Sequence, residues 1–373
     1  MEVKIDRDIL LRGMSRVQGI LEKRSHMPIL STVLLTTKGE ELEMSATDLE
    51  IGFQNSYPVE IIRPGSVTIS GKRLLDITRE TNSKKIHISE KENNWVYISD
   101  NNAHYNISCL PADEFPVLTE PEDTVMIEID SKVLTEMINK TIYSITMEEA
   151  GFKLSGVFME RIKKDGEDFL RMVATDGHRL SLIDKKVPDI QNIELKHGVM
   201  IPKKGLIELN KLSLEDGGIL FGLKQNNLVA KQEKALIIIR LLDAKFPDYK
   251  NVIPVEEGEE NIIVISKRSL LEAMRRMMII RSDQYQGVKM NIGLDYLEMV
   301  SVNPDLGNAE EKVEIKYEGE PIEIGFNPRY FIDALQSMAS DTIYLNIKDQ
   351  TSPCLITGDQ DEGFLGLIMP MRV

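Results

Sequence analysis

The chain has 373 residues, 42% hydrophobic and 28% charged, and its 60 acidic residues against 45 basic ones leave a formal charge of −15 at pH 7. That length exceeds one ordinary core and predicts two or three domains, while no apolar run approaches the roughly 18 residues of a membrane span, which excludes a helical membrane protein. Two lone cysteines, Cys109 and Cys354, and five scattered histidines predict no metal, no cofactor and a reducing, cytoplasmic setting, and the acidic balance speaks at first against a nucleic-acid partner.

The opening MEVKIDRDIL lacks the basic, apolar and small-residue order of a signal peptide. A helix is predicted over 6–21, where Asp6 supplies an N-cap ahead of Ile9, Leu10, Met14, Val17 and Leu21 at helical spacing. The alternating run TVLLTTKGEELEMSATD reads as a hairpin, SGKRLLDITRET (70–81) as a second helix, and KKIHISEKENNWVYISD as further strands before CLPADEFP closes the stretch. The same order then starts again. A helix is predicted over 130–143, a hairpin in GVFMERIKKDGEDFLRMVATD, a helix over 202–213 and strands in GGILFGLKQNNLVAKQEK, closed by LLDAKFP. A third pass brings a helix over 266–281, the hairpin GVKMNIGLDYLEMVSVNP, a helix over 327–338, the strands of DTIYLNIKDQTSPCLITGD and the terminal LIMPMRV. A period of about 130 residues predicts three α+β modules in series, at 1–121, 122–253 and 254–373, each with two helices covering one face of a mainly antiparallel sheet.

One stretch invites a catalytic reading. VATDGHRLSL (173–182) offers a hydroxyl, a carboxylate and an imidazole in Thr175, Asp176 and His178, but a triad is recognised by geometry and not by proximity along the chain. Its counterpart in the first module, SATDLEIGF (45–53), keeps Ala, Thr and Asp and has no histidine. A turn whose Asp bonds nearby amides explains the shared residues without chemistry, and no nucleophile elbow, P-loop or HExxH accompanies them. No catalytic residue is therefore expected, and Gly177, His178, Arg179 and Leu180 point to binding.

The six helical stretches hold 17 basic and 9 acidic residues, so one class of element is basic inside an acidic protein. Arg12 with Arg16, Lys72 with Arg79, Lys204 with Lys211 and Arg268 with Arg275 lie four or seven apart, each pair on a face opposite the apolar stripe. A shared basic lining suits a polyanion held through its backbone, with no base-reading residue required.

ATDGHRL, FPDY, PKKG, GFNPRY and the terminal MPMRV, in this order on a threefold repeat, resemble the bacterial DNA polymerase III beta subunit, the replicative sliding clamp, over the whole chain. The resemblance implies three tandem modules of the DNA clamp fold, with helices lining a ring interior and antiparallel sheets outside. It implies a head-to-tail homodimer that encircles duplex DNA without sequence specificity, does no covalent chemistry, confers processivity and is opened and closed by an ATP-using clamp loader. It further implies a groove that receives short linear motifs of replicative and repair polymerases, here Leu154, Thr175, Gly177, His178, Arg179, Leu180, Pro247, Val252, Tyr285, Asn327, Tyr330, Leu367, Ile368, Met369, Pro370, Met371 and Arg372. Methionines flex to fit several peptides, Gly177 permits close backbone approach, and His178 and Arg179 can bond peptide carbonyls or a carboxylate. The DNA-facing residues would include Arg24, Lys72, Arg73, Lys204, Arg275 and Arg276, and the dimer would set Tyr105 and Ile107 against Ile279 and Ile280. Two departures stand out: Asn251 follows FPDYK where some members carry arginine, and TMEEAG (146–151) is short and acidic where some offer polar DNA contacts. Two other readings compete, a hydrolase using Asp176 and His178 and a DNA-independent acidic scaffold that binds linear motifs.

Overall fold

The computed structural model describes residues 1–21, 26–146, 155–195, 197–213, 217–254, 262–280, 282 and 286–372. The first repeat runs β1 (Glu2–Asp6), α1 (Arg7–Val17), β2 (Thr32–Lys38), β3 (Glu41–Thr47), β4 (Ile51–Pro58), β5 (Glu60–Arg63), β6 (Ser66–Ser70), α2 (Gly71–Glu80), β7 (Lys85–Lys91), β8 (Trp95–Ser99) and β9 (His104–Ser108). The second runs β10 (Met126–Asp130), α3 (Ser131–Asn139), β11 (Gly156–Lys164), β12 (Glu167–Thr175), β13 (Arg179–Lys185), β14 (Val199–Pro202), α4 (Lys203–Leu212), β15 (Gly218–Lys224), β16 (Asn227–Gln232) and β17 (Ala235–Arg240). The third runs β18 (Ile262–Ser266), α5 (Lys267–Met277), β19 (Val288–Ile292), β20 (Tyr296–Asn303), β21 (Gly307–Glu314), β22 (Ile322–Phe326), α6 (Pro328–Ser337), β23 (Thr342–Asn346), β24 (Cys354–Gly358) and β25 (Phe364–Ile368). Apart from the extra β5, the three orders are the same, so the repeat read from sequence is a repeat of structure.

Local chemistry explains the helix starts. Asp6 accepts the amides of Asp8 at 2.9 Å and Ile9 at 3.2 Å, Asp130 that of Lys132 at 2.8 Å, and Asn327 that of Arg329 at 3.0 Å ahead of Pro328, each satisfying donors that the first turn leaves open. Strand β1 alternates, burying Val3 and Ile5 while Lys4 faces solvent, the period of two expected of a sheet with one wet face. The predicted helix over 266–281 ends at Met277 and tightens into a 3₁₀ turn over Met278–Ile280.

Packing does not follow the module boundaries. The chain forms two compact units, one of 1–134, 192–194 and 204–241, the other of 135–191, 195–203 and 242–373. In the first unit, one sheet has the order β5-β1-β7-β8-β9 and another the order β10-β15-β16-β17-β4-β3-β2-β6. In the second unit the orders are β14-β11-β12-β13-β25-β24-β23-β18 and β21-β20-β19-β22. Each repeat thus makes two half-sheets. The half that ends in β17 is sealed onto β4, with Ile237 opposite Phe53 and Ile239 opposite Ile51; the half that ends in β25 is sealed onto β13, with Leu367 opposite Leu180. Their equivalents β9 and β21 each stand at the edge of a sheet.

Candidate functional site

The turn after β12 is built from its own side chains. Asp176 Oδ1 accepts the amides of His178 and Arg179, both at 3.0 Å, and Thr175 Oγ1 donates to the Arg179 carbonyl at 2.6 Å while accepting the amide of Gly177 at 3.1 Å. The first repeat makes the same turn: Asp48 accepts the amides of Glu50 at 3.0 Å and Ile51 at 2.7 Å, and Thr47 Oγ1 accepts that of Leu49 at 3.0 Å. Gly177 (φ 89°) and Leu49 (φ 74°) occupy the same left-handed position, one that glycine adopts freely and leucine only under strain. The Ala-Thr-Asp sequence is therefore a turn, and the Asp176 carboxylate is taken up by backbone amides and arginine, which removes the base-orienting role that a hydrolase would need.

Arg179 is held as firmly. Its guanidinium donates to Asp176 at 2.9 Å, to Asp333 at 2.8 Å and to the Tyr143 carbonyl at 2.6 Å, and lies 4.7 Å above the Tyr330 ring. Arg179 locks the turn against α6, and His178 is the exposed polar group beside it. The His178 ring stacks on Tyr330 with centroids 6.5 Å apart and planes at 12°.

Below this turn lies an apolar cluster of Val173, Leu180, Leu182, Met200, Phe246, Tyr249 and Leu367. The C-terminal residues are tied to the same place, since the Met369 amide donates to the His178 carbonyl at 2.9 Å and the Met371 amide to the Gly325 carbonyl at 2.8 Å. Leu180 and Leu367 are buried, whereas Val252 (49%), Met369 (38%) and Met371 (37%) are exposed, with Pro247 and Arg372 exposed and Pro370 half-buried. Ile368 faces the core, and Asn327 caps α6 and meets Gln286 at 3.3 Å. Leu154 and Tyr285 lie outside the described residues, as does most of the acidic stretch 146–151.

Sequence reasoning missed Phe246 and Tyr249, although FPDY carried both. Phe246 stacks on Phe158 at 5.0 Å with planes at 7°. The Tyr249 hydroxyl receives a hydrogen bond from Arg171 at 3.1 Å and donates to Glu160. Burial pushes that phenol well above its ordinary range, Arg171 opposing and Glu160 adding to the shift, so it stays a neutral donor. Arg171 is itself fixed by Asp184 at 2.6 and 2.7 Å, so both partners of the Tyr249 hydroxyl belong to the sheet beside it.

The basic helices are less uniform than their spacing implied. Lys72 and Arg73 on α2 and Arg275 on α5 are exposed. Lys204 instead pairs with Asp48 and donates to the Ile20 carbonyl at 3.3 Å, and Arg276 grips Glu311 through two hydrogen bonds at 2.8 and 2.5 Å. Arg24 lies outside the described residues. Of the residues expected at a dimer contact, Tyr105 is 39% and Ile279 76% exposed, Ile280 is half-buried, and Ile107 is buried. Exposed Val302 (59%) and Leu306 (60%) beside β21 were not anticipated, because a two-residue apolar contribution to a hairpin end has no periodicity to reveal it. No described helix is long and apolar enough to cross a membrane.

Comparison with known proteins agrees with this architecture repeat by repeat. Models of the DNA polymerase III beta subunit match as N-terminal domain over 1–119, central domain over 128–248 and C-terminal domain over 250–372. The beta sliding clamps of Pseudomonas putida and Caulobacter vibrioides are 30% and 31% identical to the chain, each over 100% of both sequences. The sliding clamp of Bartonella birtlesii, solved bound to griselimycin, superposes with a TM-score of 0.94 at 30% identity, covering 100% of both chains. A Caulobacter crescentus clamp, solved with PEG at what is described as its beta-motif tethering region, gives 0.92 at 30% identity, covering 100% of this chain and 99% of that one. On three consecutive domain matches and full-length relatives, the chain belongs to the DNA polymerase III beta subunit family, the beta sliding clamps, whose members are non-catalytic processivity subunits.

Proposed function

We propose that two copies of this chain join head to tail into a ring around duplex DNA in the cytoplasm, and that the apolar cluster under Gly177 and His178 holds polymerases and a clamp loader by short linear motifs. One observation carries the dimer. In three repeats of one element order, β17 is sealed onto β4 and β25 onto β13, while β9 and β21 remain at sheet edges. An open edge is a template for another strand, and a twofold operation that sets β9 of each copy on β21 of the other satisfies both edges and closes the assembly. The exposed apolar residues at those two edges, Tyr105 on one and Ile279, Val302 and Leu306 at the other, support the same contact.

The peptide reading rests on an apolar floor with exposed Val252, Met369 and Met371 at its margin, a pattern that admits several apolar side chains. Exposed Lys72, Arg73 and Arg275 suit phosphate contacts that need no base recognition. Membership of the sliding-clamp family favours this reading over a DNA-independent scaffold. Solution mass tests the dimer: sedimentation is expected to give twice the mass of one chain, and Ile279→Glu with Ile280→Glu is expected to give a folded monomer. A variant that stays dimeric would place the interface elsewhere.

A further inference from the structure

The two internal seams fix more than the choice of strands. At the first, Ile239 faces Ile51 and the amide of the next residue, Arg240, donates to the Glu50 carbonyl at 2.8 Å. At the second, Ile368 faces Arg179 and the next amide, of Met369, donates to the His178 carbonyl at 2.9 Å. The register is the same in both. The equivalents at the open edges follow from the ladders: Ile107 lies opposite Val96 as Ile239 lies opposite Leu228, and Gly307 closes the β20–β21 turn on Asn303 as Ile51 and Arg179 close theirs on Asp48 and Asp176. Carrying the register across sets Ile107 opposite Gly307 of the partner subunit, Tyr105 opposite the partner's Ala309 and His104 opposite the partner's Glu310.

Strand alternation puts the last two on one face. Ile107 and its neighbours Val96 and Ile98 face the core, so His104 points to the other, solvent face, where its ring stacks on Tyr97 at 6.2 Å. On β21, Val313 is buried and Glu311 turns to Arg276, so Glu310 points to solvent. We propose that His104 and the partner's Glu310 form a proton-dependent latch at each ring-closing seam, which strengthens the ring when the imidazole is charged and loosens it as pH rises. The inference rests on the dimer reading above.

The surroundings of both groups bear on the sign. On its own sheet, His104 shares a cross-strand row with Ser99, His87 and Lys4, with Asp100 at the β8–β9 turn and the Lys91 ammonium 5.5 Å from the centre of the Tyr97 ring. His87 is already engaged by Glu2 at 2.9 Å. Around Glu310, β20 contributes Glu298, which pairs with Lys312 at 2.9 Å, and Lys289 of β19 pairs with Glu323 at 2.8 Å. Lys312 is shared by Glu298 and Glu310, one cation for two carboxylates, so the acidic end of β21 keeps a negative charge that a charged imidazole on the other edge complements. Imidazole is the side chain whose charge changes between pH 5 and 8, and the attraction is present below that range and lost above it.

Dimer dissociation is measured by dilution at about pH 5.5 and about pH 8, followed by sedimentation and by fluorescence of Trp95, the sole tryptophan, which is 45% exposed beside β9. The dissociation constant is expected to rise about tenfold across that interval, the size of two exposed ion pairs together. Because lowering the pH reduces the net negative charge and so tightens any acidic dimer to some degree, the reading is the difference from variants: His104→Asn and Glu310→Gln are each expected to remove most of the rise, His104→Arg to hold the dimer tight at both pH values, and His87→Asn to keep the rise. Equal pH dependence in wild type and His104→Asn overturns the latch and leaves the dimer standing. A chain that is monomeric at every pH and concentration overturns the dimer reading itself, and the latch with it.

Discussion

Arg179 and His178 are neighbours with different duties, and substitution separates them. The Arg179 side chain is 10% exposed between Asp176 and Asp333, each of which is 14% exposed. Arg179→Ala leaves the half-buried Asp176 without its cation, while Asp333 keeps Arg329 at 2.9 Å, and is expected to destabilise the second unit by about 2 kcal/mol, read as a lower urea midpoint. His178→Ala removes an exposed ring and is expected to leave stability within about 0.5 kcal/mol while weakening a short peptide that carries a glutamine and a following apolar pair. That peptide is expected to bind in the micromolar range, about −8 kcal/mol at 1 μM. Deleting Met369–Val373 removes the two exposed methionines and is expected to cost about 2 kcal/mol of this binding by calorimetry, with the dimer mass unchanged; equal affinities would move the groove elsewhere. The candidate binding residues could be singled out here because the first repeat shares Thr-Asp with the second and lacks Gly-His. The duty of Arg179 was not, since its partner Asp333 lies 154 positions away and no local spacing announces it.

At the scale of elements, all six helices were legible from caps and 3.6-residue periodicity, because those are local signals. The contact that anchors the end of α3 was not. Lys140, 2% exposed, reaches Asp361 in the β24–β25 connection at 2.6 Å and Glu136 at 2.7 Å. Burial alone would raise the Asp361 carboxyl, but hydrogen bonds from Lys140, from the Ser340 hydroxyl and from the amides of Ala339 and Ser340 hold it down to about 2. The folded value lies below the unfolded 3.8, so this carboxylate stabilises fully above about pH 4 and its contribution is lost as pH falls toward about 2. Asp361→Asn is expected to blunt that acid sensitivity and to cost about 3 kcal/mol at neutral pH, because a buried ammonium loses a charged partner. Urea titrations of both proteins at about pH 7 and about pH 3 check both statements, and an unchanged gap between them would assign the acid sensitivity to other groups.

For the whole molecule, the charge of −15 and the exposed cations of α2 and α5 predict, on the proposed ring, two separable kinds of hold on DNA. Direct contacts weaken steeply with salt as counterions compete, whereas a closed ring stays on a nicked circle at moderate salt and leaves once the circle is cut. Equal loss from circular and linear templates would reject encirclement. The repeat made the number of modules legible, but not that the central one is divided between two packing units, because sheet partnership is decided by edges meeting in space. That division has a consequence in time. Ile51 and Phe53 of β4 are matched by Ile239 and Ile237 of β17, roughly 180 residues later in the chain, so at the usual 5–20 residues per second of synthesis the apolar β4 edge waits on the order of 10 to 40 s for its cover. During translation the first repeat is thus an unfinished object with an adhesive border, and the nascent chain, not the finished protein, is where this protein is most exposed to aggregation and most in need of a chaperone.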